Sequence, residues 1–310
     1  MNANRTRDDV VAIVVNWNSG AHLMECLASL RGQCRAIVVD NASTDGSCDG
    51  VGDLDEVTLV VADENLGFGK ACNLGARHAH TQYLLFLNPD ARLLTGTLDR
   101  ALIQMMSEDH RHIGICGVQL LDETAKVARS CARLPTPGRL LAQAFALNRV
   151  IPTLGHFMNE WPHDSTREVD QVIGAFFLVR RDVFVQLGGF DERYFVYFEE
   201  VDFTYRARQA GWKTLYLADV QAFHAGGGTS NQIKAQRLFY VLRSRILYAH
   251  KHFSRLGCLT VCLATLLVEP FSRSALSIIR QSWSAFKETW QAYLMLWRWL
   301  PQWMFQRFTR

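Results

Sequence analysis

Leu84-Leu85-Phe86-Leu87-Asn88-Pro89-Asp90 decides how this chain is read. Four consecutive apolar residues suit a strand buried on both faces, and the polar triplet behind them falls at its carboxyl end, where open α/β sheets bind ligands. An aspartate therefore stands at the mouth of a site. Such a carboxylate could also cap the next helix, but that helix is predicted to begin near residues 95–99, which leaves Asp90 early for the task.

Residues 10–15, 36–39 and 57–61 read as three more buried strands. Helical periodicity lies between them at residues 21–30 and again after Lys70, a βαβ pattern that predicts a right-handed, mostly parallel sheet covered on both faces. The second strand runs directly into Asp40-Asn41-Ala42-Ser43-Thr44-Asp45-Gly46-Ser47, a dense cluster of turn-forming, hydrogen-bonding residues. Asn65-Leu66-Gly67-Phe68-Gly69-Lys70 opens the helix after the third strand. The first strand is followed by Asn16-Trp17-Asn18-Ser19-Gly20, which lacks the glycine turn of the dinucleotide fingerprint. Asp40 still stands where an acidic ribose ligand would, so hydride transfer is the second reading.

Beyond Asp90, a helix over 98–106 and strand-like segments over 113–121 and 126–131 are expected. Residues 132–168 show poor periodicity and read as a long, partly mobile connection or insertion. A buried strand returns at 174–179, then a short helix near Arg181 and a tight turn at Gly188-Gly189. Tyr197-Phe198-Glu199-Glu200-Val201-Asp202 leads into a helix ending at Gly211, followed by short strands at 213–217 and 220–224. His224 precedes the run Gly226-Gly227-Gly228-Thr229-Ser230, where glycines let backbone close around a phosphate. Tyr194, Phe195, Tyr197 and Phe198 suit either an aromatic wall for a sugar or the core.

The chain has 310 residues, 49% of them apolar, enough for a continuous core. Its 21 glycines and 7 prolines are too few for a fibrous or disordered chain. The eight cysteines follow no metal-knuckle or disulfide pattern and read as reduced, cytosolic thiols. Residues 1–9 are polar, expected to be disordered, with no export leader.

The net charge of +3 conceals an asymmetry: residues 231–310 carry 12 Lys/Arg against 2 Asp/Glu, and residues 1–230 carry 21 against 28. The tail also holds Trp283, Trp290, Trp297, Trp299 and Trp303. Nucleic acid would attract the charge but has no use for the neighbouring apolar run, whereas an anionic bilayer surface accommodates both. That run, residues 257–268, is too short to cross roughly 30 Å of hydrocarbon as a helix. Two readings stand: a helix lying in the headgroup plane, or a helical hairpin packed on the body or on a second copy.

Eight segments carry a family resemblance: VVNWNSG (14–20), VVDNASTDGS (38–47), NLGFGKACNLG (65–75), FLNPDARL (86–93), GAFFLVRR (174–181), GGFDERYF (188–195), YFEEVDFTYRARQAGW (197–212) and FHAGGGTS (223–230). The sequence resembles family 2 inverting glycosyltransferases of the GT-A fold, and among them bacterial rhamnosyltransferases that use dTDP-L-rhamnose. The resemblance implies one nucleotide-diphospho-sugar-binding α/β domain over residues 10–230, followed by a helical, membrane-associating extension over 231–310.

It further implies that Asp40 reads the nucleotide, with Asn16, Asn41, Asp45, Asn65, Lys70 and Asn88 around the donor. The family's DxD metal motif falls on Asn88-Pro89-Asp90, leaving Asp90 and His224 to hold Mg²⁺ or Mn²⁺ against the diphosphate. The general base falls on Glu200, where glutamate replaces the usual aspartate and moves the carboxylate by about one carbon–carbon bond, roughly 1.5 Å. Glu199 competes for or supports that role, and Asp202 anchors the loop or caps the helix. Lys70 or Arg180 would oppose phosphate charge, and Asn73 either lines the site or fixes a loop.

The expected reaction is transfer of L-rhamnose to a saccharide acceptor, carried on a polyprenyl diphosphate, in O-antigen, lipopolysaccharide or cell-wall synthesis. The enzyme is expected at the inner face of the cytoplasmic membrane, peripherally attached, with a homo-oligomer as a further possibility and no nucleic-acid partner. Other nucleotide sugars, linked to UDP or GDP, and a non-catalytic nucleotide-sugar-binding subunit are the alternatives.

Overall fold

The computed structural model describes residues 8–226 and 234–308, with side chains to 305. The expected disorder of the first residues, the glycine run after Gly226 and the start of the helical extension at 231 lie outside the described residues.

Strands β1 (Val10–Asn16), β2 (Arg35–Asp40), β3 (Val57–Val61) and β4 (Tyr83–Leu87) are all parallel and lie in the order β3-β2-β1-β4. Every residue of β1 and β4 is buried, as the unbroken apolar runs require. Alternate residues serve opposite faces. Val10, Ala12 and Val14 pack with helix α1 (His22–Leu30), while Val11, Ile13 and Val15 pack with α2 (Phe68–Arg77).

The sheet continues through β5 (Ala91–Leu93), β6 (Ile113–Leu121), β11 (Phe176–Arg180) and β12 (Lys213–His224), in the order β4-β11-β6-β12-β5. β11 runs antiparallel to β4 and β6, and β6 and β12 run parallel. The two strands expected over 213–224 are one strand, whose register shifts between Leu217 and Gln221 absorb the polar interruption. Helix α3 (Thr97–Met106) covers the first face, and α5 (Arg181–Gln186) and α6 (Glu199–Gln209) cover the second. The result is a three-layer α/β/α domain.

Residues 132–168 are more ordered than their periodicity suggested. β7 (Val127–Ala128) pairs β6, β8 (Cys131–Ala132) pairs β10 (Gln171–Val172), and β9 (Arg167–Val169) pairs β12. Helix α4 (Pro137–Ala144) is capped by the Thr136 side chain with proline at its first position, a start signal that a search for apolar periodicity overlooks.

The chain divides into two compact units, with breaks within the sheet domain's sequence as well as at residue 230. Pro135–His156 and Val196–Phe198 group with Ser230–Arg310, not with the sheet domain. This second unit contains α4, α7 (Lys234–His252), α8 (Arg255–Leu263), a π-helical turn (Ala264–Val268), α9 (Glu269–Ile279) and α10 (Trp283–Phe308). Its apolar contacts join Leu242, Ile246, Tyr293 and Leu296 in one cluster and Leu140, Ala249 and Val261 in another. The expected twelve-residue apolar run is part of a longer helix: Arg255–Ile279, 25 residues, is long and apolar enough to cross a membrane.

α2 lies close on the sheet because Gly75 has no side chain. A Cβ there would meet Ile13 Cγ2 at 2.7 Å and Val39 Cγ2 at 3.1 Å. Gly75→Ala adds up to about 1 kcal/mol of helix propensity but overpacks a filled core, a cost of about 1–3 kcal/mol. Net destabilisation is expected in urea denaturation, increasing in Gly75→Val, while a gain in stability would show that α2 can lift off the sheet.

Candidate active site

Strand order β3-β2-β1-β4 reverses direction at β1, and the chain leaving β1 and β4 opens a crevice at their carboxyl ends. Asn16 and Asp40 are paired neighbours at that edge, and Val14 pairs with Leu87, which sets the Asn88-Pro89-Asp90 turn beside them.

Asn16 is fully buried. Its Nδ2 lies 3.2 Å from Asp40 Oδ1, 2.9 Å from Ser43 Oγ and 2.8 Å from Ser47 Oγ, more acceptors than two hydrogens can serve at once. Ser19 Oγ donates to its carbonyl. The structure thus places Asn16 beneath the site, where its carboxamide orients Asp40 and the 43–47 turn. Asp45 is exposed and accepts from the backbone N–H of Gly20 at 2.9 Å and of Ser47 at 3.0 Å, tying the first loop to the second.

Asn41 reaches across to the third loop. Its Oδ1 accepts from Leu66 N at 2.8 Å and its Nδ2 donates to Asn65 Oδ1 at 2.9 Å. Lys70 is half-buried in the first turn of α2. Gly67 has φ +80°, and a Cβ on it would fall 2.3 Å from the Phe195 carbonyl oxygen, to which Phe68 N–H donates at 2.6 Å. The third loop is thereby fastened to the segment that leads into α6.

At the other side of the crevice, Asp90 Oδ1 and His224 Nε2 are 3.3 Å apart, each only slightly exposed. Asn88 Nδ2 is 3.5 Å from the same imidazole nitrogen, and Ala225 N–H donates to Asp90 O at 3.1 Å. Antiparallel pairing of β12 with β5, His224 opposite Ala91, carries the histidine there. Asp90 and His224 offer one oxygen and one nitrogen donor, a set suited to a divalent cation whose remaining positions a diphosphate would fill. No group of three or more His, Cys, Asp or Glu converges among the described residues. Any cation held here would therefore take further ligands from substrate or water.

Glu199 and Glu200 open α6 and point differently. Glu199 is buried under α2, where a Cβ on Gly69 would stand 3.3 Å from its own Cβ. Glu200 is half-buried, and a Cβ on Gly174 would lie 3.8 Å from its Cγ. Beside Gly174, the Ala175 carbonyl accepts from Asn88 N–H at 3.1 Å, so Glu200 and the Asn88 turn flank the same stretch of backbone. The Oε2 atoms of both glutamates are buried without a hydrogen-bond partner among the described residues. Burial raises both carboxyls above the usual carboxylate range, and the adjacent Glu200 pushes Glu199 up further.

Three other expected residues serve structure. Asp202 is fully buried and accepts from Arg206 Nε at 2.7 Å, and Arg206 donates onward to Leu187 O and Gly189 O, which makes Asp202 the loop anchor. Asn73 brackets Phe190 through both its N–H and its carbonyl, at 2.9 Å and 2.8 Å. Arg180 lies opposite Tyr83, at the far end of β4 from the crevice, where it donates to the carbonyls of Ile113, Met105 and His110. It cannot oppose phosphate charge here, which corrects the sequence reading. Of the four aromatics, Tyr194 is core, Phe195 contributes its carbonyl, and Tyr197 and Phe198 group with the second unit. The sequence reads Gly174-Ala175 only as the opening of a buried strand; the strand begins at Phe176, and the glycine before it signals close approach of another group.

A parallel sheet with an acid at the end of its second strand, an Asx-Pro-Asp turn after its fourth and a carboxylate pair on a later helix defines a GT-A glycosyltransferase. Solved structures agree on that fold: a mannosyltransferase from Pyrobaculum calidifontis, in complex with GDP-Man and Mn²⁺, superimposes with a TM-score of 0.56 at 17% identity, over 95% of this chain and 92% of that one. The Glycosyl transferase family 2 domain matches residues 11–154. An N-acetylglucosaminyl-diphospho-decaprenol L-rhamnosyltransferase from Mycobacterium tuberculosis is 31% identical over 252 residues, 74% of this chain and 80% of that protein. The rhamnosyltransferase WbbL of Escherichia coli K12 is 28% identical over 211 residues, 62% of this chain and 75% of its own. The chain belongs to glycosyl transferase family 2.

The raised carboxyl of Glu199 has a consequence for stability. The unfolded chain releases this proton at an ordinary carboxylate pH of about 4.3, whereas the folded chain retains it, so the contribution present at low pH is lost as pH rises above that value. Glu199→Gln removes the ionisation. Its thermal midpoint relative to wild type is expected to be unchanged near pH 4 and higher at pH 7, and a lower midpoint at pH 7 would mean that Glu199 is held as a stabilised anion.

Proposed function

We propose that this glycosyltransferase moves L-rhamnose from dTDP-L-rhamnose to a saccharide acceptor carried on a polyprenyl diphosphate, with inversion at the anomeric carbon. The observation that carries the reading is the gathering of Asp40, the Asp90–His224 pair and Glu200 along one sheet edge. Likeness to rhamnosyltransferases supports the sugar, and the decaprenol-linked acceptor in the name of the mycobacterial relative supports the lipid.

Asp40 and Asn41 face the nucleoside, and the Asn65 loop with Lys70 closes over the diphosphate. Asp90 and His224 hold Mg²⁺ or Mn²⁺, which when bound offsets the charge that develops on the departing nucleoside diphosphate. Glu200 takes the proton of the acceptor hydroxyl as its oxygen attacks the anomeric carbon. The bond from that carbon to the diphosphate oxygen breaks on the opposite face. A pKa raised by burial suits the task, because it brings the base nearer the operating pH. Glu199, whose carboxyl is pushed up by burial and by the adjacent Glu200, supports Glu200 rather than competing with it. The acceptor's lipid places the reaction at the cytoplasmic face of the membrane, in surface-polysaccharide assembly, with the enzyme peripherally attached.

Purified enzyme with Mg²⁺ or Mn²⁺ is expected to hydrolyse dTDP-L-rhamnose slowly without acceptor and to stop on chelation. Turnover of a UDP- or GDP-sugar with none of dTDP-L-rhamnose would reassign the donor. Asp90→Asn and His224→Ala are each expected to lower transfer by about a hundredfold. Glu200→Gln is expected to abolish transfer while dTDP still binds by calorimetry, and full activity in that variant would remove Glu200 as the base.

A further inference from the structure

The long helix of the second unit, Arg255–Ile279, has an uncovered side. Leu256, Leu259, Leu263, Leu267, Phe271 and Ile278 are each between 46% and 72% exposed. Their steps are three, four, four, four and seven residues, with Ala275 also exposed in the last gap. On an ordinary α-helix each four-residue step drifts about 40° around the axis. The π-helical turn Ala264–Val268 winds fewer degrees per residue and opposes that drift across Leu263 and Leu267. The stripe consequently stays on one side for about 33 Å, at 1.5 Å per residue.

The opposite side of this helix is turned to protein. Glu269 is buried there, paired with Arg245 of α7 and with Arg273 at 2.7 Å, and Ser274 and Ser277 are buried beside it. A helix lying in the headgroup plane buries one apolar face in lipid and keeps its other face polar. Here one long face is polar and covered, and the other is apolar and bare.

Cations mark both ends of the stripe: Arg255 begins the helix, and Arg280 follows it. Arg149, from the segment that runs on from α4, is close enough to Arg280 and Arg273 that desolvation and their charge lower its pKa. Neither Arg149 nor Arg280 has a salt-bridge partner among the described residues. Leu147, Val150 and Ile151 are exposed next to Arg149. Of the tail's tryptophans, Trp299 and Trp303 stack on each other against the unit's own core, whereas Trp283 is exposed.

We propose that the leucine stripe of Arg255–Ile279 docks in the plane of an anionic lipid bilayer, with Arg149 and Arg280 contacting acidic headgroups at its carboxyl end. The inference rests on the reading of a lipid-borne acceptor and gives it a specific surface. Two parts of the chain build it: the helical tail, and an insertion from within the catalytic sequence. Aliphatic side chains enter the acyl boundary while arginines stay at headgroup level, the arrangement of an interfacial amphipathic helix.

Flotation of the full chain with vesicles tests the surface. Vesicles of about one-third phosphatidylglycerol in phosphatidylcholine are expected to carry the protein, and phosphatidylcholine alone much less. Leu263→Asp/Leu267→Asp is expected to lower the partition coefficient at least about tenfold on both. Arg149→Glu/Arg280→Glu should lower it on the anionic vesicles only, and the exposed control Ile103→Asp should not change it. The milder Leu263→Ser/Leu267→Ser covers the case in which the aspartates unfold the helix. Donor hydrolysis without vesicles should be unaffected in every variant, which separates failure of this surface from failure of the donor reading. Wild type that ignores phosphatidylglycerol, stripe variants that float like wild type, or a wild-type dimer that light scattering shows dissociating in the stripe variants would each overturn the proposal.

Discussion

The site depends on β1 being hydrogen-bonded to β2 on one flank and to β4 on the other. Because β2 follows β1 through α1 while β4 arrives on the opposite side, the loops leaving these strands diverge and leave a crevice between them. The polar residues that end these strands, Asn16 and Asp40 in one pairing and Asn88 beyond Leu87, are thereby held at one height by backbone register alone. Asn16 then converts register into orientation. A fully buried carboxamide with hydroxyl, carboxylate and thiol neighbours cannot turn without leaving a polar group unpaired, so the 40–47 loop is anchored from below.

The carboxylate pair opposes stability where the Asn16 network favours it. An N-terminal helical turn favours negative charge through its free N–H groups, by about 0.3–1 kcal/mol in exposed settings. Burial outweighs that effect here, since both carboxyls are raised rather than lowered. The backbone entering the pair is strained as well. Tyr197 and Phe198 adopt φ of +66° and +73°, a left-handed conformation that costs roughly 1–2 kcal/mol per residue for side chains of this kind. Two such residues in succession persist only where neighbours over-determine the path, and the Phe195 carbonyl, gripped by Phe68 N–H against Gly67, is one such constraint.

Much of the sheet domain was legible because its signals are local. Runs such as Val10–Val15 and Leu84–Leu87 report burial on both faces directly, and loops rich in Asp, Asn and Ser after them report the ligand edge. The motifs brought Asp90 and His224 together although 134 positions separate them in sequence. What could not be read was the aim of individual side chains. Arg180 follows an apolar strand just as Asp40 does, but β11 runs antiparallel, so its end faces away from the crevice. Likewise Asn16 and Asn41 are both asparagines at the same edge, yet only the tertiary packing buries one beneath the loop and directs the other across it.

The second unit shows a different limit. A hydropathy run measures how long an apolar segment is, not which of its sides meets protein, and the charge at Glu269 ends the run after residue 268. In the folded chain that glutamate lies inside the helix and is compensated by Arg245 and Arg273. Removing both arginines would leave a buried charge unpaired, a cost of several kcal/mol, so the pairing locks the rotation of the whole 25-residue helix about its axis. The same ion pairs that interrupt the sequence pattern therefore determine which leucines face outward. An element long enough to span a bilayer is held in one rotational setting by charges that would be expensive to carry through it.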